Sequence, residues 1–131
     1  PATAAAPAST TSAAPAPHDD AADVVSTVRA WAAAWSRKDV AAYTAFYVGD
    51  FTGKATSRQA WETSRAARIE AASHLRVEVS KLQATVDGDT ARVRFRQRYR
   101  SKSLQSSESK TLELTRMPGG QWLIRQESTD R

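Results

Sequence analysis

Between Ala91 and Arg100 the chain reads Ala-Arg-Val-Arg-Phe-Arg-Gln-Arg-Tyr-Arg, an alternation without a break. Arg92, Arg94, Arg96, Arg98 and Arg100 share one parity; Ala91, Val93, Phe95, Gln97 and Tyr99 share the other. Successive side chains of a β-strand point to opposite faces, so this is a strand with one packed and one charged face. On a helix the same arginines would spread around the axis and leave no apolar stripe. Whatever covers the apolar parity has to come from elsewhere in the chain.

Helical periodicity precedes this strand. Val24, Val28, Trp31 and Trp35 recur at spacings of four, three and four, which predicts a first helix from about Asp20 to Lys38 with a buried aromatic stripe. Asp19, Asp20 and Asp23 suit the positive end of its dipole, and Arg37 and Lys38 the negative end. Asp39 is placed to cap a short second helix, Val40–Tyr47, with Tyr43 and Tyr47 on its inner side. Gly49-Asp50-Phe51-Thr52-Gly53 breaks it, with Phe51 as a plug for the core and Asp50 as a turn residue. Thr56 and Gln59 fit a capping box for a third helix running to about Ala72. Trp61, Arg65, Arg68 and Ile69 share one side of that helix. Its arginines either line a polar cavity or snorkel to water.

From Leu75 the period becomes two. The phase slips by one residue at Ser80-Lys81, as a β-bulge would make it. Asp87-Gly88-Asp89 turns the chain into the arginine strand. Ser101–Ser107 is expected to be a polar connection, Lys110–Met117 a third strand and Gln121–Ser128 a fourth. In that fourth strand Trp122 and Ile124 point inward, and Leu123, Arg125 and Glu127 outward. Three helices followed by a four-strand meander define an α+β domain with the helices on one face of a curved, mostly antiparallel sheet. The sheet's open end forms a cone, and the arginine row lies on the convex side, away from the helices.

Composition narrows the function classes. All 19 Lys and Arg residues follow residue 20, whereas Asp19 and Asp20 account for two of the 14 acidic ones. The resulting basic field favours anionic partners. Without cysteine, a disulfide framework or thiolate metal site is excluded. No apolar run approaches the ~20 residues of a membrane span, so no insertion is expected. Pro1–Pro17 contains only Pro, Ala, Ser and Thr and reads, through residue 19, as a linker. It begins without Met, which leads to the expectation of a processed product or fragment with a further domain upstream.

Several stretches resemble nuclear transport factor 2-like domains. They are Trp31-Ala-Ala-Ala-Trp35-Ser-Arg-Lys-Asp39-Val40, Phe46-Tyr47 ahead of Asp50-Phe51, and Trp61 in Ser57-Arg-Gln-Ala-Trp61-Glu. Phe95-Arg-Gln-Arg-Tyr99-Arg, Lys110-Thr-Leu-Glu-Leu114 and Gly120-Gln-Trp122-Leu-Ile124 resemble one branch more closely. That branch is the C-terminal domain of bacterial L,D-transpeptidase-like, cell-shape-determining peptidoglycan proteins. The resemblance covers about Asp20–Ser128 and implies a cone-shaped fold, often dimeric through the sheet, in an envelope protein of the periplasm.

Enzymes of this fold do acid/base work in the cone with an aspartate or an Asp/His pair. Here no inward Asp or Glu is expected, His74 belongs at the rim, and Asp50 matches a turn position. With two histidines, one of them in the tail, a zinc site is not expected. The assignment is therefore no catalytic residue, no metal and no cofactor. The preferred function is a binding or assembly module. Tyr43, Tyr47, Trp61, Arg65, Gln97 and Tyr99 are the candidate cone residues, aromatic walls with a few polar groups. Arg92, Arg94, Arg96, Arg98 and Arg100 are the candidate partner face, for a second copy, an envelope partner, or an acidic peptide or glycan. The bland alternative pairs those arginines across strands with Glu78, Glu113 and Glu127. A second reading is a small isomerase or dehydratase, which needs an inward carboxylate of raised pKa. A third is nucleic-acid binding through the arginines, disfavoured because few aromatics interleave with them.

Overall fold

The computed structural model describes residues 19–130. The linker assignment, Asp19 apart, lies outside the described residues. Three helices, α1 (Asp20–Ser36), α2 (Val40–Ala45) and α3 (Arg58–Ala71), precede four strands. The strands are β1 (Arg76–Asp87), β2 (Thr90–Arg100), β3 (Gln105–Arg116) and β4 (Trp122–Asp130). They form an open antiparallel sheet in the order β1-β2-β3-β4.

Each helix begins where a short polar side chain can accept a backbone N–H. Asp19 accepts from Ala22, Asp39 from Ala42 and Ser57 from Ala60. The third cap corrects the expectation: Ser57, not Thr56, is the N-cap, so Gln59 closes no capping box. Ser57→Ala is expected to cost about 1 kcal/mol, read as a shift in urea midpoint at unchanged slope. α1 also stops at Ser36 rather than Lys38. Lys38 takes a left-handed conformation (φ 61°), and its Nζ donates to the Glu70 and Ala72 carbonyls at the end of α3 (3.0 and 2.6 Å). It thereby satisfies carbonyls that the helix itself leaves without partners.

Val24, Val28, Trp31 and Trp35 of α1 pack on Val93, Phe95, Leu112, Leu114, Trp122 and Ile124 of the sheet, all buried. Arg92, Arg94, Arg96 and Arg98 are exposed while Ala91, Val93, Phe95 and Gln97 are buried. The strand thus has the two faces its alternation predicted. Two bulges bend the sheet. One falls between Ser80 and Gln83, at the slip expected from the sequence, with Lys81 at φ 54°. The other lies on β4: Leu114 pairs with Ile124 but Glu113 with Gln126, leaving Arg125 as the extra residue. The segment after α2 is pinned to β4 by Ile124 N–H donating to Phe46 O (2.7 Å) and Val48 N–H donating to Ile124 O (2.9 Å).

The serine-rich connection is shorter than expected. β3 starts at Gln105, so the hairpin is only Ser101–Leu104 and Ser106 and Ser107 pair with Tyr99 and Arg98. Low strand propensity is overridden by a complete ladder to the arginine strand.

Candidate functional site

The bulge at Arg125 reverses the parity of the rest of β4. Glu127, expected outward among the sheet-face ion pairs, faces inward beneath the helices with its side chain 8% exposed. Lys110 of β3 lies diagonally across, two residues from Glu127's ladder partner Leu112, and is buried on the same parity as Leu112 and Leu114. Its Nζ donates to Glu127 Oε2 at 2.6 Å and stands 5.8 and 5.6 Å over the rings of Trp31 and Trp35. A buried lysine over aromatic faces gains cation–π attraction as well as its carboxylate.

A directional hydrogen-bond chain ends on the same carboxylate. The Tyr47 hydroxyl donates to Glu127 Oε1 (2.7 Å) and accepts from Trp31 Nε1 (3.1 Å). Tyr47 has one proton to give, so in its contact with Tyr43 (3.1 Å) the Tyr43 hydroxyl is the donor. Arg65 Nη1 in turn donates to Tyr43 (3.2 Å), and Arg65 Nη2 stands 4.0 Å from Glu127 Oε1. The polar core of the cone is therefore satisfied in one sense, from Arg65 through two tyrosines to Glu127, with Lys110 closing the other oxygen.

The charges follow from this geometry. Burial pushes the Glu127 carboxyl up, but Lys110 and Arg65 together outweigh it and hold the carboxyl below its ordinary 4.5. Burial and the Glu127 charge push Tyr43 up to about 12 and Tyr47 well above its ordinary value. A carboxyl depressed on folding stabilises the native state above its unfolded value, and that contribution is lost as pH falls through the folded one. Stability should therefore drop below pH 4.5 more steeply in the wild type than in Glu127→Gln, measured by urea melts across that range. Equal pH profiles would show that Glu127 is not ionised in place.

The cone opens as a cavity of about 670 Å³. Tyr43, Arg65, Gln97 and Tyr99 line it, as expected. Arg68 does so too, the first of the two alternatives for the α3 arginines, and so do Trp35, Leu104, Glu108, Lys110 and Glu127, which are not among the candidate cone residues. Tyr47 and Trp61 do not line this cavity and pack in the core cluster. Tyr47 is 2% exposed beneath Tyr43. Trp61 packs among Tyr47, Phe51 and Tyr43, with ring centroids 4.5, 4.9 and 6.4 Å away. Trp61 lies instead at a neighbouring cleft of about 860 Å³ that shares Arg65, Arg68, Glu127 and Thr129 with the cone. Gly53 permits this packing: at φ +56°, a Cβ there would come within 3.1 Å of Trp61 Cδ1.

Gln97 is 3% exposed, and its Oε1 accepts from no protein donor. Arg68, on the α3 wall, has no carboxylate within ion-pair distance among the described residues. His74 lies outside the cone at the β1 entry, exposed and at φ 56°. Among the described residues no group of three or more His, Asp or Glu side chains is gathered as metal ligands would be. No helix among them is long and apolar enough to cross a membrane.

A three-helix layer on a bent, open four-stranded sheet, enclosing a cone with a polar floor, defines the nuclear transport factor 2-like class. Within it, the chain belongs to the Cds6 C-terminal NTF2-like domain family, whose model matches residues 23–128. Bd1075 of Bdellovibrio bacteriovorus is similar in structure, with a TM-score of 0.74 at 21% identity over 82% of this chain and 39% of that one. The helical cell shape determining protein Pgp2 of Campylobacter jejuni gives 0.71 at 16%, over 80% and 39%. A putative dehydratase of the NTF2-like family from Streptomyces avermitilis gives 0.71 at 17%, over 86% and 95%. This chain thus spans about two fifths of the length of Bd1075 and of Pgp2. No curated protein matches the sequence.

Proposed function

We propose that this domain is a non-catalytic binding module of a bacterial cell-envelope protein, exposed to the periplasm, whose cone holds the acidic end of a peptidoglycan peptide or glycan. The envelope setting rests on the family and on the likeness to a cell-shape protein. The observation that carries the binding role is the contrast between a self-paired floor and walls with open polar groups. Lys110, Glu127, Tyr43 and Tyr47 answer one another, whereas the buried Gln97 Oε1 has no protein donor and the solvent-exposed Arg68 guanidinium has no carboxylate within ion-pair distance among the described residues. Arg68 supplies charge for a carboxylate, and Gln97 accepts an N–H or O–H from the same ligand.

The isomerase or dehydratase reading requires an inward carboxylate of raised pKa. Two carboxylates line the cone, Glu108 and Glu127; the buried one, Glu127, is kept ionised by two cations and both its oxygens already accept hydrogen bonds. Such a group is poorly placed to abstract or deliver a proton near neutral pH.

Titration of the 15N-labelled protein with a soluble disaccharide-peptide fragment of peptidoglycan tests the proposal. Shifts are expected at the Gln97 side-chain amide, the Trp35 indole and Leu104. Gln97→Leu should weaken binding about tenfold, or 1.4 kcal/mol. It should leave stability unchanged or raised, because it removes an unsatisfied buried group. Absence of shifts at these three positions, or equal binding by Gln97→Leu, would retire the cone as the binding site.

A further inference from the structure

We infer that the convex arginine row is a docking track for a linear, base-free polyphosphate chain. This does not rest on the cone proposal, since the row lies on the opposite face of the sheet.

Arg92, Arg94, Arg96 and Arg98 are exposed and follow one another on one side of β2. Twice the strand rise sets their pitch at ~6.7 Å, and the row to Arg100 spans ~27 Å. Polar, hydrogen-bonding residues flank the middle of the row, Ser80 and Gln83 on β1 and Ser107, Ser109 and Thr111 on β3, with Glu78 and Glu113 opposite Arg98 and Arg92. Arg96 already donates to the Ser109 and Ser107 hydroxyls (3.3 and 3.1 Å), so serine hydroxyls and guanidinium converge at mid-row.

Three of the five arginines already meet carboxylates. Arg92 meets Glu113 at 3.5 Å, Arg94 meets Asp130 at 3.4 Å and Arg100 meets Glu78 at 3.7 Å. Glu113 is shared with Arg125. Arg96 and Arg98 have no carboxylate within ion-pair distance among the described residues. Exposed pairs of this kind are weak, about 0–1 kcal/mol each, and yield readily to a multivalent anion.

The shape and chemistry of the row favour this occupant. A twofold contact between copies sets the same predominantly basic patch against itself. It would also lack apolar anchors, since the only exposed large hydrophobic residue among those described is Leu104, at the hairpin tip. A single-stranded nucleic acid would find no aromatic ring on this face for its bases. A single file of charge on a convex surface suits a chain better than the plane of a membrane.

The test is equilibrium binding of the whole chain to long inorganic polyphosphate across a salt series. Four phosphate contacts predict a log–log slope of about −3, a loss of about 50-fold for a fourfold rise in salt. Tripolyphosphate, too short to follow the row, should bind far more weakly per phosphate. Arg94→Gln/Arg98→Gln should reduce the slope by about 1.5–2, and Arg94→Glu/Arg98→Glu should abolish binding with an unchanged melting temperature. Retained affinity and slope in the glutamine pair would overturn the inference. So would tighter binding, per phosphate, to phosphatidylglycerol vesicles or to oligothymidylate, which would make the row a membrane or nucleic-acid surface. A fall in light-scattering mass in the glutamate pair would instead make the face a contact between copies.

Discussion

Lys110→Met is expected to destabilise the domain by about 3–5 kcal/mol, the cost of leaving a buried carboxylate without its cation. The pair is closely held: the lysine side chain is 7% and the glutamate side chain 8% exposed, with 2.6 Å between the charged atoms. Arg65, the second cation, stands 4.0 Å from Oε1 and gives its hydrogen bond to Tyr43 rather than to the carboxylate. The second variant, Lys110→Met with Glu127→Gln, removes both charges. It keeps an amide oxygen for Tyr47, so most of the loss should return, because exchanging a whole buried pair for uncharged groups is often neutral. Urea melts of the two single variants and the double give the coupling directly. A single variant as stable as the wild type would mean that Glu127 is solvated or protonated, and the cone floor would have to be redrawn.

Trp61→Ala is the second large expectation, about 3–5 kcal/mol. Trp61 is 3% exposed and ties α3 to the segment after α2 through Tyr47 and Phe51. Arg58 reinforces the same joint. Its guanidinium lies 4.9 Å over the Trp61 ring and donates to the Val48 and Thr44 carbonyls. Removing the indole empties the joint between α2 and α3, where no sheet strand can collapse inward to fill it. A loss below about 1 kcal/mol, at unchanged denaturant slope, would return Trp61 to the pocket walls.

The arginine strand was legible because its alternation admits only one secondary structure and one covered face. The helical stripe of Val24, Val28, Trp31 and Trp35 was legible for a similar reason, as was the slip at Ser80-Lys81, where apolar parity visibly breaks. The polar floor of the cone was not. Glu127 reads as an outward residue if β4 alternates regularly from Trp122, and a single extra residue, Arg125, reverses it. Two signals pointed that way. Arg125-Gln126 places consecutive polar residues where alternation should have continued, and Lys110 shares the parity of Leu112 and Leu114, so a buried lysine required a carboxylate somewhere opposite. Tyr47 and Trp61 were assigned to the cavity because helical faces show which residues point inward but not how deep each one sits. Tyr43 intervenes between Tyr47 and the opening, and α3 presents Arg65 and Arg68 to the cone while Trp61 stays in the joint below.

The central claim is that the cone is a binding pocket with a permanently ionised, fully partnered floor. The most direct measurement is the pH titration of the Glu127 side-chain carboxyl by 13C NMR in the whole chain, assigned with Glu127→Gln. A midpoint below 4.5, the ordinary value for this group, is expected. A midpoint raised above it, toward neutrality, would contradict the account and mark Glu127 as a proton carrier in an enzyme.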